Sequence, residues 1–165
     1  MIAVDSNIML YALNDGDGRK YDISLDLILL KPVVSLQCLT ETLNVCRKRW
    51  KYDKNKLLTV LAFFLKNTQF ASTDLSSIEL AAELVKRYDF QLFDSIIVAA
   101  ALDAHCSVLY SEDMQHELLV NEQLRIINPF LKKLVPQRAG LRGGSIRPRG
   151  LQLCSSYIRN SKAKT

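Results

Sequence analysis

The sequence predicts an α/β fold, a mostly parallel central sheet flanked by helices, and three observations predict it. Short, apolar, β-branched runs recur along the first 130 residues. Segments with apolar residues three and four apart lie between them. Runs and segments alternate, and such alternation joins parallel strands through crossover helices.

The elements follow in order. The strand-like runs are Ile2–Val4, Val33–Ser35, Gln69–Ser72, Ser107–Tyr110 and Arg125–Ile127, as apolar as strands covered on both faces tend to be. "DISLDLILL" and "LQCLTETLNVCRKRW" carry helical spacing, and "KNKLLTVLAFFLKN" is a strong helix. So is "DLSSIELAAELVKRY", which Asp74 or Ser76 can cap, with Glu79 at capping-box spacing from Ser76. "DSIIVAAALDAH" is apolar nearly all round and is expected to be the most buried helix. No internal repeat is visible.

A length of 165 residues suits one domain with a real core, and 48% apolar with 24% charged residues is ordinary for a soluble globular chain. Apolar stretches such as Ile96–Leu102 are too short to span a bilayer. Met1 runs at once into strand-like residues, without a basic segment and long apolar run, so no secretory signal and a cytoplasmic location are expected. Cys38, Cys46, Cys106 and Cys154 form no CxxC pair and read as reduced thiols, three of them core. His105 and His116 have no cysteine pairs at zinc spacing.

The net charge of +5 is uneven. Nine of the 22 basic residues and none of the 17 acids lie between Leu131 and Thr165, so residues 1–130 carry −4 and the remainder +9. After Pro129 the periodicity fails, and "PQRAGLRGGSIRPRG" is rich in Gly, Pro and Arg. The expected organisation is a domain over 1–130 and a basic, flexible tail over 131–165, with a helix from Leu151 to Arg159 as one alternative within it.

Four acids stand at informative places. In an open α/β sheet, ligands bind outside the carboxyl ends of the strands. Asp5 follows the first strand, Asp113 follows "SVLY", Asp94 opens the buried helix, and Glu41 lies about one turn into the helix after "PVVS". Topology would bring all four toward one sheet edge. Each also has a plainer reading: Asp5 and Asp94 as helix caps, Glu41 as an exposed helix residue, Asp113 as a turn residue.

Taken together, "VDSN", Glu41 within "LTETLN", "FDSIIVAAAL" and "LYSED" resemble the four signature segments of PIN-domain nucleases, and more narrowly of VapC-type toxins of toxin–antitoxin pairs. The resemblance covers about residues 1–130. It implies a Rossmann-like fold and an acidic cluster of Asp5, Glu41, Asp94 and Asp113, with Asn7 and Ser111 at the accompanying polar positions. Ser95 stands where Ala is common and Ser111 where Thr is common; the tail after Pro129 is a larger departure.

The implied activity is Mg²⁺-dependent endoribonuclease cleavage. Packed carboxylates repel one another, a divalent cation relieves this, and oxygen-only ligands suit Mg²⁺ or Mn²⁺. Such an ion activates water against a phosphodiester and stabilises the developing charge. The expected roles are Asp5 and Asp94 holding the main metal ion, Asp113 completing that site as a metal ligand directly or through water, Glu41 orienting the attacking water or holding a second ion, and Asn7 and Ser111 supporting the acids or bonding to the phosphate. Arg47, Lys48, Arg49 and Lys51, interleaved with Trp50 and Tyr52, are candidate RNA contacts or a solvated helix end.

The resemblance also implies a cognate antitoxin covering the acidic groove, and a homodimer. "NKLLTVLAFFLKN", with Phe63 and Phe64, is either core or a partner face. No GxGxxG follows the first strand and no P-loop is present. The alternative to a nuclease is a catalytically inert RNA-binding or scaffold module of the same fold.

Overall fold

The computed structural model describes residues 1–131. In chain order the elements are β1 (Ile2–Val4), α1 (Ser6–Leu13), α2 (Gly18–Leu29), β2 (Val33–Val34), α3 (Leu36–Lys48), α4 (Lys54–Asn67), β3 (Gln69–Phe70), α5 (Leu75–Tyr88), α6 (Leu92–Asp103), β4 (Val108–Tyr110), β5 (Leu119–Val120) and β6 (Leu124–Ile127). The α/β class is as expected. The basic tail beyond Leu131, the helix from Leu151 to Arg159, and Cys154 fall outside the described residues.

The sheet runs in the order β3-β2-β1-β4-β6-β5. Every pairing is parallel except β5 with β6, which is antiparallel. Ile2, Ala3 and Val4 of β1 align with Val108, Leu109 and Tyr110 of β4. From β1 the chain builds outward to β2 and β3, then returns to place β4 on the other side of β1. Strand order therefore reverses between β1 and β4, and the crevice beyond their carboxyl ends is where such a sheet receives ligands.

The core explains these strands. Val4, Val34, Leu109 and Ile126 are each no more than 1% exposed, and each contributes roughly 1.5–3 kcal/mol on burial. They meet Ile8 and Met9 of α1, Ile28 of α2, Phe64 of α4 and Leu84 of α5. In α6, Ile97 to Leu102 are all buried, as its all-round apolar pattern predicts. β3 departs from the two-faced burial expected of it: Gln69 and Phe70 are exposed, because β3 is an edge strand. Phe64 is core and Phe63 packs half-buried against it.

Caps set the boundaries. Asp5, Asp17, Ser35, Asp53 and Asp74 each accept a backbone N–H at the start of the following helix. The capping box of α5 pairs Asp74 with Ser77, not Ser76 with Glu79. Asp94 is not an N-cap: Gln91 holds that position and Asp94 is the third residue of α6. Lys31 after α2, Asp89 after α5 and His105 after α6 adopt φ of 54°, 56° and 53°. These are left-handed helix stops, usually glycine, so His105 serves as a turn residue.

Candidate active site

Asp5 is the centre of the site. It is 5% exposed, and as N-cap of α1 its Oδ1 accepts the Ser6 N–H at 2.5 Å. Its Oδ2 accepts from Ser111 Oγ at 2.7 Å and from Asn7 Nδ2 at 3.0 Å. Backbone pairing explains the meeting: Asp5 N donates to Tyr110 O at 3.0 Å, so the residues after β1 and β4 leave the sheet together. Burial pushes the Asp5 carboxyl from 3.8 up to about 6, the bonds from Ser111 and Ser6 oppose this, and the charges of Asp94 and Glu41 add to it.

Asn7 spans two acids. Its Nδ2 also lies 3.3 Å from Asp113 Oδ2 and 3.5 Å from Ser111 Oγ, while its Oδ1 accepts the Glu112 N–H at 3.4 Å. That pattern sets the amide orientation, with nitrogen toward the carboxylates and oxygen toward a donor. Ser111, fully buried, also accepts the Met114 N–H at 3.4 Å. Both supporting polar residues therefore touch Asp5 directly.

Asp94 sits half-buried in the first turn of α6, where the helix dipole favours an anion. Burial raises its pKa, and the charges of Glu41 and Asp113 raise it further. Glu41 lies in the middle of α3, with Oε1 accepting Gln37 Nε2 at 2.6 Å one turn back. Asp113 is exposed on the loop after β4. The four acids thus share one electrostatic neighbourhood. Among the described residues, no three His, Cys, Asp or Glu side chains close into a group that could hold a metal ion.

The donor chemistry fits a hard cation. The available ligands are carboxylate oxygens; burial first, and neighbouring negative charge second, disfavour the charged forms of Asp5 and Asp94, and a divalent ion would offset both. Mg²⁺ keeps several waters and uses one or two carboxylates, so a loose set of acids serves it better than it serves zinc. Cys38, fully buried beside Ser35 and the Val4 carbonyl, is held as a neutral thiol, chiefly by burial. His116 Nδ1 accepts the Asn128 N–H at 3.1 Å, a structural bond.

The basic run lies apart from the acids. Arg47 and Lys48 close α3 and Arg49 is its C-cap, so this end of the helix is about 9 Å or more along the axis from Glu41. Arg47, Lys48, Arg49 and Lys51 are exposed. Trp50 and Tyr52 pack on each other at 5.6 Å and against the core, with Lys56 over the Tyr52 ring.

Residue types alone did not single out two further groups. Gln37 was visible in principle, four residues before Glu41 on one helix face. The second group is Glu112, whose carboxylate binds Lys20 Nζ and accepts Tyr11 OH at 2.6 Å. Only the fold brings α1, α2 and the loop after β4 together. The Glu112 bond, then that of Tyr11, pushes Lys20 up to about 12.

The fold is similar to those of known proteins. VapC20 of Mycobacterium tuberculosis, a sarcin–ricin-loop-cleaving toxin, is similar in structure at TM-score 0.55 and 21% identity, over 66% of this chain and 87% of that one. VapBC2 of Rickettsia felis, bound to a DNA fragment from its promoter, is similar at TM-score 0.56 and 18% identity, over 78% of this chain and all of that one. FitAcB of Neisseria gonorrhoeae gives TM-score 0.52 and 16% identity, over 79% and 99%. A sequence comparison with curated proteins finds no match. The PIN domain family model matches residues 2–119, across all four acids. The chain belongs to the PIN domain family.

Proposed function

We propose that this PIN domain is a Mg²⁺- or Mn²⁺-dependent endoribonuclease, the toxin of a toxin–antitoxin pair. The observation that carries the reading is the bonded set of Asp5, Asn7, Ser111 and Asp113 beyond the ends of β1 and β4, with Asp94 and Glu41 near enough for their charges to act on Asp5. Cleavage of the sarcin–ricin loop by VapC20 supports an RNA substrate, and the VapBC2 complex supports a protein partner.

Asp5 and Asp94 would hold the cation, with Asp113 completing the site directly or through water, and the ion when bound supplies charge stabilisation at the phosphate and activation of water. Asp5 presents an oriented carboxylate, because Ser6, Ser111 and Asn7 hold its oxygens. Glu41, fixed by Gln37, orients the attacking water and accepts its proton, or binds a second ion. Asn7 keeps Asp113 near Asp5. The exposed Arg47, Lys48, Arg49 and Lys51 extend phosphate contacts away from the acids, and the basic segment beyond residue 131 adds non-specific attraction. A cognate antitoxin would cover the acidic groove, a second copy of the chain would complete a homodimer, and the setting is the cytoplasm.

The test is cleavage of defined RNA by the full chain with Mg²⁺, with excess EDTA, and with Asp5→Asn. Cleavage that needs Mg²⁺ and is lost in the folded variant is the expected result; undiminished cleavage in EDTA or in Asp5→Asn overturns it. One observation favours a second reading, a catalytically inert RNA-binding module: among the described residues no three acids close into a ligand group. RNA binding without cleavage at any Mg²⁺ or Mn²⁺ concentration would select it.

A further inference from the structure

Asp113 lies on a loop beyond the end of β4, exposed, and its carboxylate is held by Asn7. Sheet pairing ends two residues earlier, where Ser111 N donates to Ile127 O at 3.1 Å. Something else must hold Asp113 where it faces the other acids, because a free loop would lose conformational entropy on every binding event.

The adjacent residue is tied at every polar group. The Glu112 N–H donates to Asn7 Oδ1 at 3.4 Å, and its carbonyl accepts Asn128 Nδ2 at 3.2 Å. Its carboxylate takes Lys20 Nζ of α2 on one oxygen and Tyr11 OH of α1 on the other. Lys20 is itself fixed: its Nζ donates to Tyr11 OH at 3.0 Å and lies 4.5 Å from the Tyr11 ring centre and 5.1 Å from that of Phe130. Those two rings meet edge-on at 5.2 Å. A half-buried, aromatic-flanked ion pair of this kind is stronger than an exposed one, and it joins the α1–α2 hairpin to the acid-bearing loop.

We propose that Glu112, anchored by Lys20 and Tyr11, is a positioning residue that holds Asp113 in the cation site. The proposal rests on the reading of Asp5, Asp94 and Asp113 as cation ligands. Both Glu112 carboxylate oxygens are already committed, one to Lys20 and one to Tyr11, so the residue adds order and not a ligand. Groups that orient metal ligands typically change metal affinity by 10- to 100-fold when removed.

The experiment is a Mn²⁺ titration of the full chain, reading free Mn²⁺ by electron paramagnetic resonance, with folding checked by near-ultraviolet circular dichroism and Tm. Glu112→Ala and Lys20→Met are each expected to weaken Mn²⁺ binding by roughly 10-fold. Glu112→Gln, whose amide still bonds Lys20 and Tyr11, is expected to recover most of it. Folded Glu112→Ala and Lys20→Met chains with lowered Tm but wild-type Mn²⁺ affinity would overturn the proposal and leave a purely stabilising ion pair. If Glu112→Ala does not fold, Lys20→Met decides alone. Asp5→Asn and Asp113→Asn separate the two levels of the argument: if they bind Mn²⁺ as the wild type does, or the wild type binds none, the cation-site reading fails and this proposal with it.

Discussion

Asp5 and Asp113 are the same residue type in one electrostatic neighbourhood, held by opposite means. Asp5 is 5% exposed, directly after a paired strand, with three donors on its two oxygens. Asp113 is exposed, on a loop, and takes Asn7 across 3.3 Å. The contrast teaches where the cost of an acidic site falls. The sheet places one carboxylate rigidly and at high desolvation cost; the loop presents another cheaply and needs an external anchor. Exchange of a charge therefore has its greatest effect on the strand side, and loss of an anchor on the loop side.

The comparison breaks most visibly at Asp5. Asp5→Asn is expected to lower RNA cleavage by at least about 100-fold, equivalent to about 3 kcal/mol of lost transition-state stabilisation, in single-turnover assays. Asp113→Asn should lose less, since a loop position leaves room for water to substitute. Equal losses would dissolve the distinction.

Burial of Asp5 gives a pH signature of similar size. Its folded pKa of about 6 exceeds the ordinary 3.8, so the folded chain holds that proton more tightly than the unfolded one. The associated stability is complete below pH ~4 and is lost as pH rises through ~6, amounting to about 3 kcal/mol without metal. Urea midpoints of wild type and Asp5→Asn from pH 4.5 to 7.5 should diverge, the wild type falling more steeply. Added Mg²⁺ should restore the wild type at the upper end. Parallel profiles would remove desolvation of Asp5 as the cause.

Ser111→Ala sharpens the same point. It deletes the 2.7 Å bond to Asp5, a buried charge-assisted contact whose loss costs about 1–3 kcal/mol. The Asp5 pKa should move higher still, because that bond opposes the effect of burial, and the acid limb of the activity profile should move with it. Gln37→Ala, removing the part-buried bond to Glu41 within α3, is the smallest test: stability should change by no more than about 0.5 kcal/mol, with a few-fold loss of cleavage.

The elements show how far linear pattern reaches. Helical spacing placed α3, α4 and α5 well, because an amphipathic stripe is written in the residues it buries. α2 begins at Gly18, four residues before the "DISLDLILL" pattern, because Asp17 caps it and its first turn buries nothing apolar. β5, two residues in antiparallel pairing at the sheet edge, escaped notice: so short a run has no periodicity to read. Glu112 was visible only as one more acid near Asp113, since its partners are nine residues apart on α1 and α2.

By itself, then, the sequence determined the α/β class, the strand that ends on Asp5, the buried helix that carries Asp94, and the four acids in their order. These follow from local periodicity and from the rule that open sheets bind at strand ends. Tertiary structure alone decided which bonds each acid makes. Asp5 is both helix cap and central carboxylate, Asp94 is a first-turn residue and no cap, and Asp113 depends on Asn7 and its anchored neighbour. The physical reason is that desolvation and hydrogen bonding depend on what lies across the fold. Ser111 and Asp5 are 106 residues apart in the chain and 2.7 Å apart in space.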